Sequence, residues 1–365
     1  MSKDSEFLWY IPNDTRPGHR GDRVVENHNS LATLTEHAKA LEQHGWKGAL
    51  IGTGWGRPDT FTVAAALAAS TSTFEPLIAI RPGYWRPANF ASAAATLDHL
   101  TGGRVRVNIV SGLDNLSAYG DQEGDQAQRY ARTKEFMRLV RRLWTEENVT
   151  FDGEHFGVAE STVVPRIEAR GNRRHPKFYF GGASEAAERV AATEADVQLF
   201  WGEPLDGVRE RIARLKALSH ELDRDLPPLE FGLRITTLVR DTTDEAWRDA
   251  EAKVAQMAEQ QASDGTFQKR FQRSGFKATG QQRLFDLHRS GDVLDDNLYT
   301  GPGKFGGGGA GTTWLVGSAA DVAKSLRKYQ DLGITHFVLS DTPYLAEIRR
   351  QGNQLLPLLR GSTIK

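Results

Sequence analysis

KFYFGGASEAAERVAATEADVQLFWGEP, residues 177–204, reads as a strand, a glycine turn, a helix and a second strand. Lys177 to Phe180 is a short apolar run of strand type, and Ser184 stands where a helix N-cap belongs, ahead of EAAERVAAT. Gly181 and Gly182 carry no Cβ, so a ligand can approach the backbone of the turn closely. The first turn of the helix offers free N–H groups and the positive end of its dipole, which together suit a phosphate. An ordinary cap with no ligand reads the same way, so the turn alone leaves both possibilities open.

Working outward from this unit, the same alternation recurs. Phe7 to Pro12, Gly48 to Thr53, EPLIAIRPG and Val105 to Gly112 read as strands, and each is followed by a loop and a helix. Ser30, Asp59 and Pro87 mark three of those helix starts. Downstream of the opening unit, EFGLRITTLVR is a seventh strand and HFVLSD an eighth, while TFDGEHFGV around Asp152 and Gly153 reads as a small hairpin. Eight strands with near-continuous apolar runs, each followed by a helix, describe an α/β fold with both sheet faces covered. The expectation is a (β/α)8 TIM barrel forming one domain over residues 1–365; a doubly wound sheet is the alternative. Between residues 260 and 312 the pattern is lost, and this Gly-rich insertion between strands seven and eight is expected to be a mobile lid. Order is expected to return at Ser318 and Asp321, a capping pair.

Composition narrows the chemistry. A net charge of −1 gives no general attraction for nucleic acid or an anionic membrane, so neither is expected as a partner. The absence of cysteine excludes disulfides, Cys-bound zinc and thiol nucleophiles. The 10 His are scattered without metal-ligand spacing, and no metal site is expected. The N-terminus shows no basic segment followed by an apolar run, so a cytoplasmic protein is expected.

In a barrel, residues that end strands converge on one mouth. Here they are Asn13, Asp14, Thr53, Arg81, Asn108, Ser111, Ser184, Trp201, Glu203, Arg234, Thr236, Asp341 and Thr342. Glu203 and Asp341 could pair as glycosidase carboxylates. Asn108, with Arg129 and Tyr130 opening the next helix, could hold a phosphate-bearing cofactor beside Gly182 and Ser184. Taken singly, Asn108 also suits loop capping and Arg129 a solvated helix face.

Several strings together resemble a known family: NIVSG (108–112), QRYARTKEFMRLVRRLW, FDGEHF, GGAS, LFWGEP, FGLRITTLVRDTTDEAW and FGGGGAGTTWLVGS. In this order they are similar to the bacterial flavin-dependent alkanesulfonate monooxygenases of the luciferase-like superfamily, from Phe7 to about Leu359. The resemblance implies an oxidoreductase that takes reduced FMN (FMNH2) from a separate NAD(P)H-dependent FMN reductase. With O2 it would convert an organosulfonate to an aldehyde and sulfite. A homodimer or homotetramer is also implied. By position, Asn108, Arg129, Tyr130 and Ser184 match flavin-binding sites, and Arg234 and Trp201 match residues at the sulfonate.

Departures fall in the substrate shell. Where simple alkanesulfonate enzymes carry Cys, His, Arg-x-His, Tyr and Arg, this chain reads about Arg57, Asn13 or Asp14, Arg234-Ile-Thr236, Thr342, and Gly307 with Lys304 nearby. The expected substrate shell is therefore Asn13, Thr53, Trp201, Arg234, Thr236, Lys304 and Thr342, suited to a hydroxylated sulfonate such as sulfoquinovose. Other flavin monooxygenases, acting on a sulfone, pyrimidine or aminopolycarboxylate, are the nearest alternatives, and a flavin- or sugar-binding barrel without catalysis is a further one.

Overall fold

The computed structural model describes residues 5–14, 29–112, 116–121, 124–171, 173–264, 279–305 and 312–360. The first half runs β1 (Glu6–Ile11), α1 (Leu31–Gln43), β2 (Gly48–Ile51), α2 (Thr60–Ala69), β3 (Glu75–Ile80), α3 (Pro87–Leu100), β4 (Arg106–Ile109) and α4 (Gln126–Thr145). A two-stranded hairpin, β5 (Val149–Asp152) and β6 (Gly157–Ser161), precedes β7 (Phe178–Phe180), α5 (Glu185–Glu194), β8 (Val197–Trp201), α6 (Leu205–Glu221) and β9 (Glu230–Arg240). Each expected cap is present: Ser30, Asp59 and Ser184 accept from the backbone N–H three residues on, and Ser318 with Asp321 forms a capping box.

The insertion is more structured than its composition implies. α7 (Thr243–Asp264) follows β9, and then come α8 (Thr279–Ser290), the short strands β10 (Val293–Leu294) and β11 (Leu298–Tyr299), and β12 (Trp314–Ser318). The chain finishes with α9 (Ala319–Asp331), β13 (Ile334–Ser340), α10 (Tyr344–Gln354) and α11 (Leu356–Leu359). The Gly306–Gly309 run lies outside the described residues. The buried run WLVGS, which sequence reading passed over, is a strand because β9 outlasts β8. Up to Arg234 β9 pairs with Trp201 of β8; from Thr236 to Arg240 the same edge pairs with Trp314 to Ser318 of β12.

The barrel itself is β1, β2, β3, β4, β7, β8, β9 and β13, joined by parallel pairs that return to β1. Alternation along each strand divides the interior into two cores. Leu8, Tyr10, Leu50, Leu77, Ala79, Tyr179, Val197, Leu199 and Val338 fill the lumen. Their neighbours in sequence, such as Phe7, Trp9, Ile78 and Phe178, join the larger core with the helices. Among the described residues no helix is long and apolar enough to cross a membrane.

The floor of the lumen is polar. Arg106 opens β4 and donates to Glu75 Oε2 at 2.6 Å, Glu6 Oε2 at 2.5 Å and the Tyr179 hydroxyl at 2.6 Å. Tyr179 in turn meets His336 Nδ1 at 2.9 Å, and His336 Nε2 meets Glu230 at 2.6 Å. Burial acts to raise the Glu6 carboxyl, but hydrogen bonds from His336 and Arg106 outweigh it and hold the group well below the usual carboxylate range. Glu6, Glu75 and Arg106 begin β1, β3 and β4, so one guanidinium ties three strand starts together, and Tyr179 and His336 extend the network to Glu230 at the start of β9. Arg106→Met should therefore cost about 3 kcal/mol in urea unfolding, because it removes the buried guanidinium that Glu6 and Glu75 share, leaving Glu6 only His336 and Glu75 only Lys47 as charged partners among the described residues. A loss indistinguishable from zero would mean that the floor contributes no net stability.

Candidate functional site

At the opposite end, the strand C-termini open onto a cavity of about 410 Å³. On one side stands the Gly181–Ser184 turn. Gly182 is required there by close packing: a Cβ would lie 2.5 Å from Ala187 Cβ and 3.7 Å from the Tyr130 hydroxyl. The turn is braced from behind, since the Gly182 carbonyl accepts from Gln198 Nε2 at 3.2 Å and from Arg211 Nη2 at 2.5 Å. α4 supplies the next wall. Arg129 Nη1 donates to the Gly124 carbonyl at 2.6 Å, and the Ser111 and Thr133 hydroxyls, 2.8 Å apart, tie the end of β4 to the same helix.

The other side is built around Tyr10, an inward residue of β1. The Arg234 guanidinium lies 4.1 Å from the centre of its ring and 5.9 Å from that of Trp201. Above Gly52, where a Cβ would stand 3.0 Å from the Tyr10 hydroxyl and 3.1 Å from Arg57 Nη1, these two polar groups converge. Trp201 is held by the turn that follows it. Gly202 has φ +58°, and its carbonyl accepts from the Thr313 hydroxyl at 2.8 Å. The start of α8, Thr279 and Gly280, also lines the cavity, with a Cβ on Gly280 falling 3.5 Å from the Trp201 ring.

The cavity wall is cationic. Arg57, Arg81, Arg129, Arg211 and Arg234 line it, against a single carboxylate, Glu203, among the described lining residues. Three lining side chains bury a polar atom with no hydrogen-bond partner among the described residues: Asn108 Oδ1, Arg129 Nε and Trp201 Nε1. Such atoms cost free energy unless a ligand meets them. A turn without Cβ, an α5 N-terminus and a buried arginine donor fit the phosphate of a flavin mononucleotide. Asn108 Oδ1 and Trp201 Nε1 offer an acceptor and a donor to polar edges of a ligand in the cavity.

Of the residues expected at the site, Asn108, Arg129, Tyr130, Gly182, Ser184, Thr53, Trp201 and Arg234 line this cavity. Four expected substrate contacts do not reach it. Asn13 turns at φ 49° and spends its amide on the carbonyls of Gly52 and Pro58, at 3.0 and 2.8 Å. Thr236 is buried in register with Trp314 of β12, beside Ser340. Lys304 is exposed, its ammonium 5.3 Å from the Phe305 ring centre. Thr342 is 1% exposed and its carbonyl accepts from Lys253 Nζ at 2.7 Å. The glycosidase pair also dissolves: Glu203 is held by Arg211 and Arg283, and Asp341 by Arg240 and Lys253 outside the cavity. Tyr10 was missed, although its place two residues after Leu8 on an inward row marks it; Arg211 and Gly280 carried no signal of their own.

The fold defines a (β/α)8 barrel with a cationic cavity at its strand C-termini, the place where such barrels carry their active sites. The luciferase-like monooxygenase family profile matches residues 5–336, and the chain belongs to that family, whose enzymes use O2 and a small-molecule substrate. Solved structures share the fold. A long-chain alkane monooxygenase (LadA) superposes with a TM-score of 0.75 at 16% identity, over 99% of this chain and 92% of the other. A riboflavin lyase (RcaE), whose structure holds modified FMN and the substrate riboflavin, gives 0.75 at 17%, over 98% and 92%. EDTA monooxygenase (EmoA) from Chelativorans sp. BNC1 gives 0.75 at 17%, over 98% and 94%.

Behind β9 and β13, Arg240 joins Asp341 at 3.1 Å and Glu347 at 3.3 Å. Burial, followed by the charge of Asp341, pushes the Glu347 carboxyl up from 4.5 to about 7. A carboxyl raised on folding favours the native state below its unfolded value, and that advantage is lost as pH rises through about 7. Glu347→Gln cannot ionise, so its melting temperature should fall less than the parent's between pH 5 and pH 8. Parallel pH profiles for the two proteins would show that Glu347 does not titrate in that window.

Proposed function

We propose that this protein is an FMNH2- and O2-dependent monooxygenase that desulfonates an organosulfonate to an aldehyde and sulfite. The observation that carries the reading is Arg234, fixed on the face of Tyr10 across the cavity from the Gly181–Ser184 turn. A sulfonate is a fixed anion with three acceptor oxygens, and a guanidinium held by stacking meets it at little cost in side-chain entropy. Bound reduced flavin would supply the electrons and activate O2, and a separate NAD(P)H-dependent reductase would renew it. The chain's own residues do the rest. Arg129, Ser184 and the α5 N-terminus bind the phosphate, Asn108 and Trp201 orient what lies between, and Gly280 against Trp201 limits access of water.

Because Asn13, Thr236 and Thr342 stand outside the cavity, hydroxyl recognition falls to Thr53, Gln126 and Thr279, which line it. A sugar sulfonate remains within this reading, but the changed strand ends no longer argue for it over an alkanesulfonate. Arg57 and Arg81, which donate to the carbonyls of Pro12 and Gly112 at 2.6 Å each, add positive charge to the wall and so favour one rival, a multiply anionic aminopolycarboxylate.

Turnover with FMNH2, O2 and a panel of octanesulfonate, sulfoquinovose and an aminopolycarboxylate separates these readings through sulfite release. Arg234→Met should lower kcat/KM for the active sulfonate by roughly a hundredfold, in line with loss of a charged contact in a partly buried site. Turnover of the polycarboxylate alone, without sulfite from any sulfonate, would replace the desulfonation reading.

A further inference from the structure

Arg283 of α8 reaches down to Glu203, donating from Nε to Oε1 at 2.9 Å and from Nη2 to Oε2 at 2.5 Å. The same Glu203 Oε1 accepts from Arg211 Nη1 at 3.1 Å. Arg211 continues inward: Nε donates to Glu188 Oε1 at 2.9 Å and Nη2 to the Gly182 carbonyl at 2.5 Å. Arg214 also bonds Glu188, at 2.7 Å. Four groups thus run unbroken from the insertion helix to the glycine turn: Arg283, Glu203, Arg211 and the Gly182 carbonyl.

Exposure separates the fixed members from the movable one. The Arg211 and Glu203 side chains are 2% and 3% exposed, whereas that of Arg283 is 37% exposed. Glu203 keeps Arg211 as a buried partner whether or not Arg283 is in place, so releasing Arg283 strands no charge in the interior. Charge count gives the direction of coupling. Arg211 and Arg214 face Glu188, Glu203 and Glu210, and docking Arg283 adds one positive charge to that cluster on the side of the turn. An anion at the turn is favoured by the added charge, and in return favours docked Arg283.

We propose that Arg283 is a positioning residue that couples occupancy of the phosphate seat to the seating of α8 on Trp201, through Glu203 and Arg211. This rests on the reading of the Gly181–Ser184 turn as the seat of a flavin phosphate. Linkage is reciprocal: whatever α8 gains from the phosphate, the phosphate gains from α8. The cover at Gly280 then closes best over a mouth that already holds its cofactor.

The test titrates the parent protein and Arg283→Met with oxidised FMN and with riboflavin, which lacks the phosphate, and follows amide hydrogen exchange in Thr279–Ser290. The parent should prefer FMN. Arg283→Met should lose roughly tenfold in FMN affinity with riboflavin affinity unchanged. FMN should slow exchange in α8 of the parent and not of the variant, and Arg283→Lys, which keeps the charge, should recover part of both effects. If the parent prefers FMN while Arg283→Met binds it equally well, or loses both ligands alike, the coupling is wrong and the phosphate seat stands. If the parent binds FMN and riboflavin alike, the seat itself is wrong and the coupling falls with it.

Discussion

A closed barrel grants each strand one row of inward side chains, and that alternation governs the rest of this molecule. The rows run from floor to mouth through Glu6, Leu8 and Tyr10 on β1, Glu75, Leu77 and Ala79 on β3 with Arg81 just past its end, and Glu230, Gly232 and Arg234 on β9. Charge sits at the bottom, where Arg106 collects the first residues of several strands. Apolar side chains fill the middle, and polar groups return at the top. A shift of one residue in any strand would exchange its lumen set for its helix-facing set, so fold and site depend on the same register.

This explains what could be read in advance and what could not. The strand and helix order, the caps and the glycine turn at the mouth follow from local signals: apolar runs, a serine after two glycines, a capping box. The expected substrate contacts were harder to place because ending a strand is not the same as facing the lumen. Asn13 and Thr342 lie past the regular strands, where the chain turns and the side chain or carbonyl is used for loop bonding. Thr236 keeps the inward parity of Arg234 but sits one step higher, where β12 has replaced β8 as its neighbour. Counting by twos from the buried charges at the floor would have found Tyr10. Nothing local marks Arg211 or Arg283, since their roles depend on carboxylates distant in the chain.

The two ends of the cavity use positive charge in different ways. Near the glycine turn, arginines are embedded among glutamates and backbone carbonyls, so their orientation is set before any ligand arrives. At the far end, Arg234 is oriented by the faces of aromatic rings. Stacking constrains the plane of a guanidinium. One end therefore fixes its cations by ion pairs and backbone carbonyls, and the other by aromatic faces.

The shared edge of β9 bears on how such an enzyme changes its substrate. β8 and β12 occupy successive lengths of one strand, so the long insertion is sewn into the sheet by backbone hydrogen bonds at its exit. Its entry is set by α7, which packs Ala246, Ala250 and Val254 against Trp314 and Val316 of β12. With both ends anchored to the barrel framework, the stretch between them can lengthen, shorten or exchange sequence without disturbing the hydrogen-bond register below. The insertion is thus fastened to the barrel at its entry and exit, and Arg283 within it ties its helix to Glu203 beside the glycine turn as well.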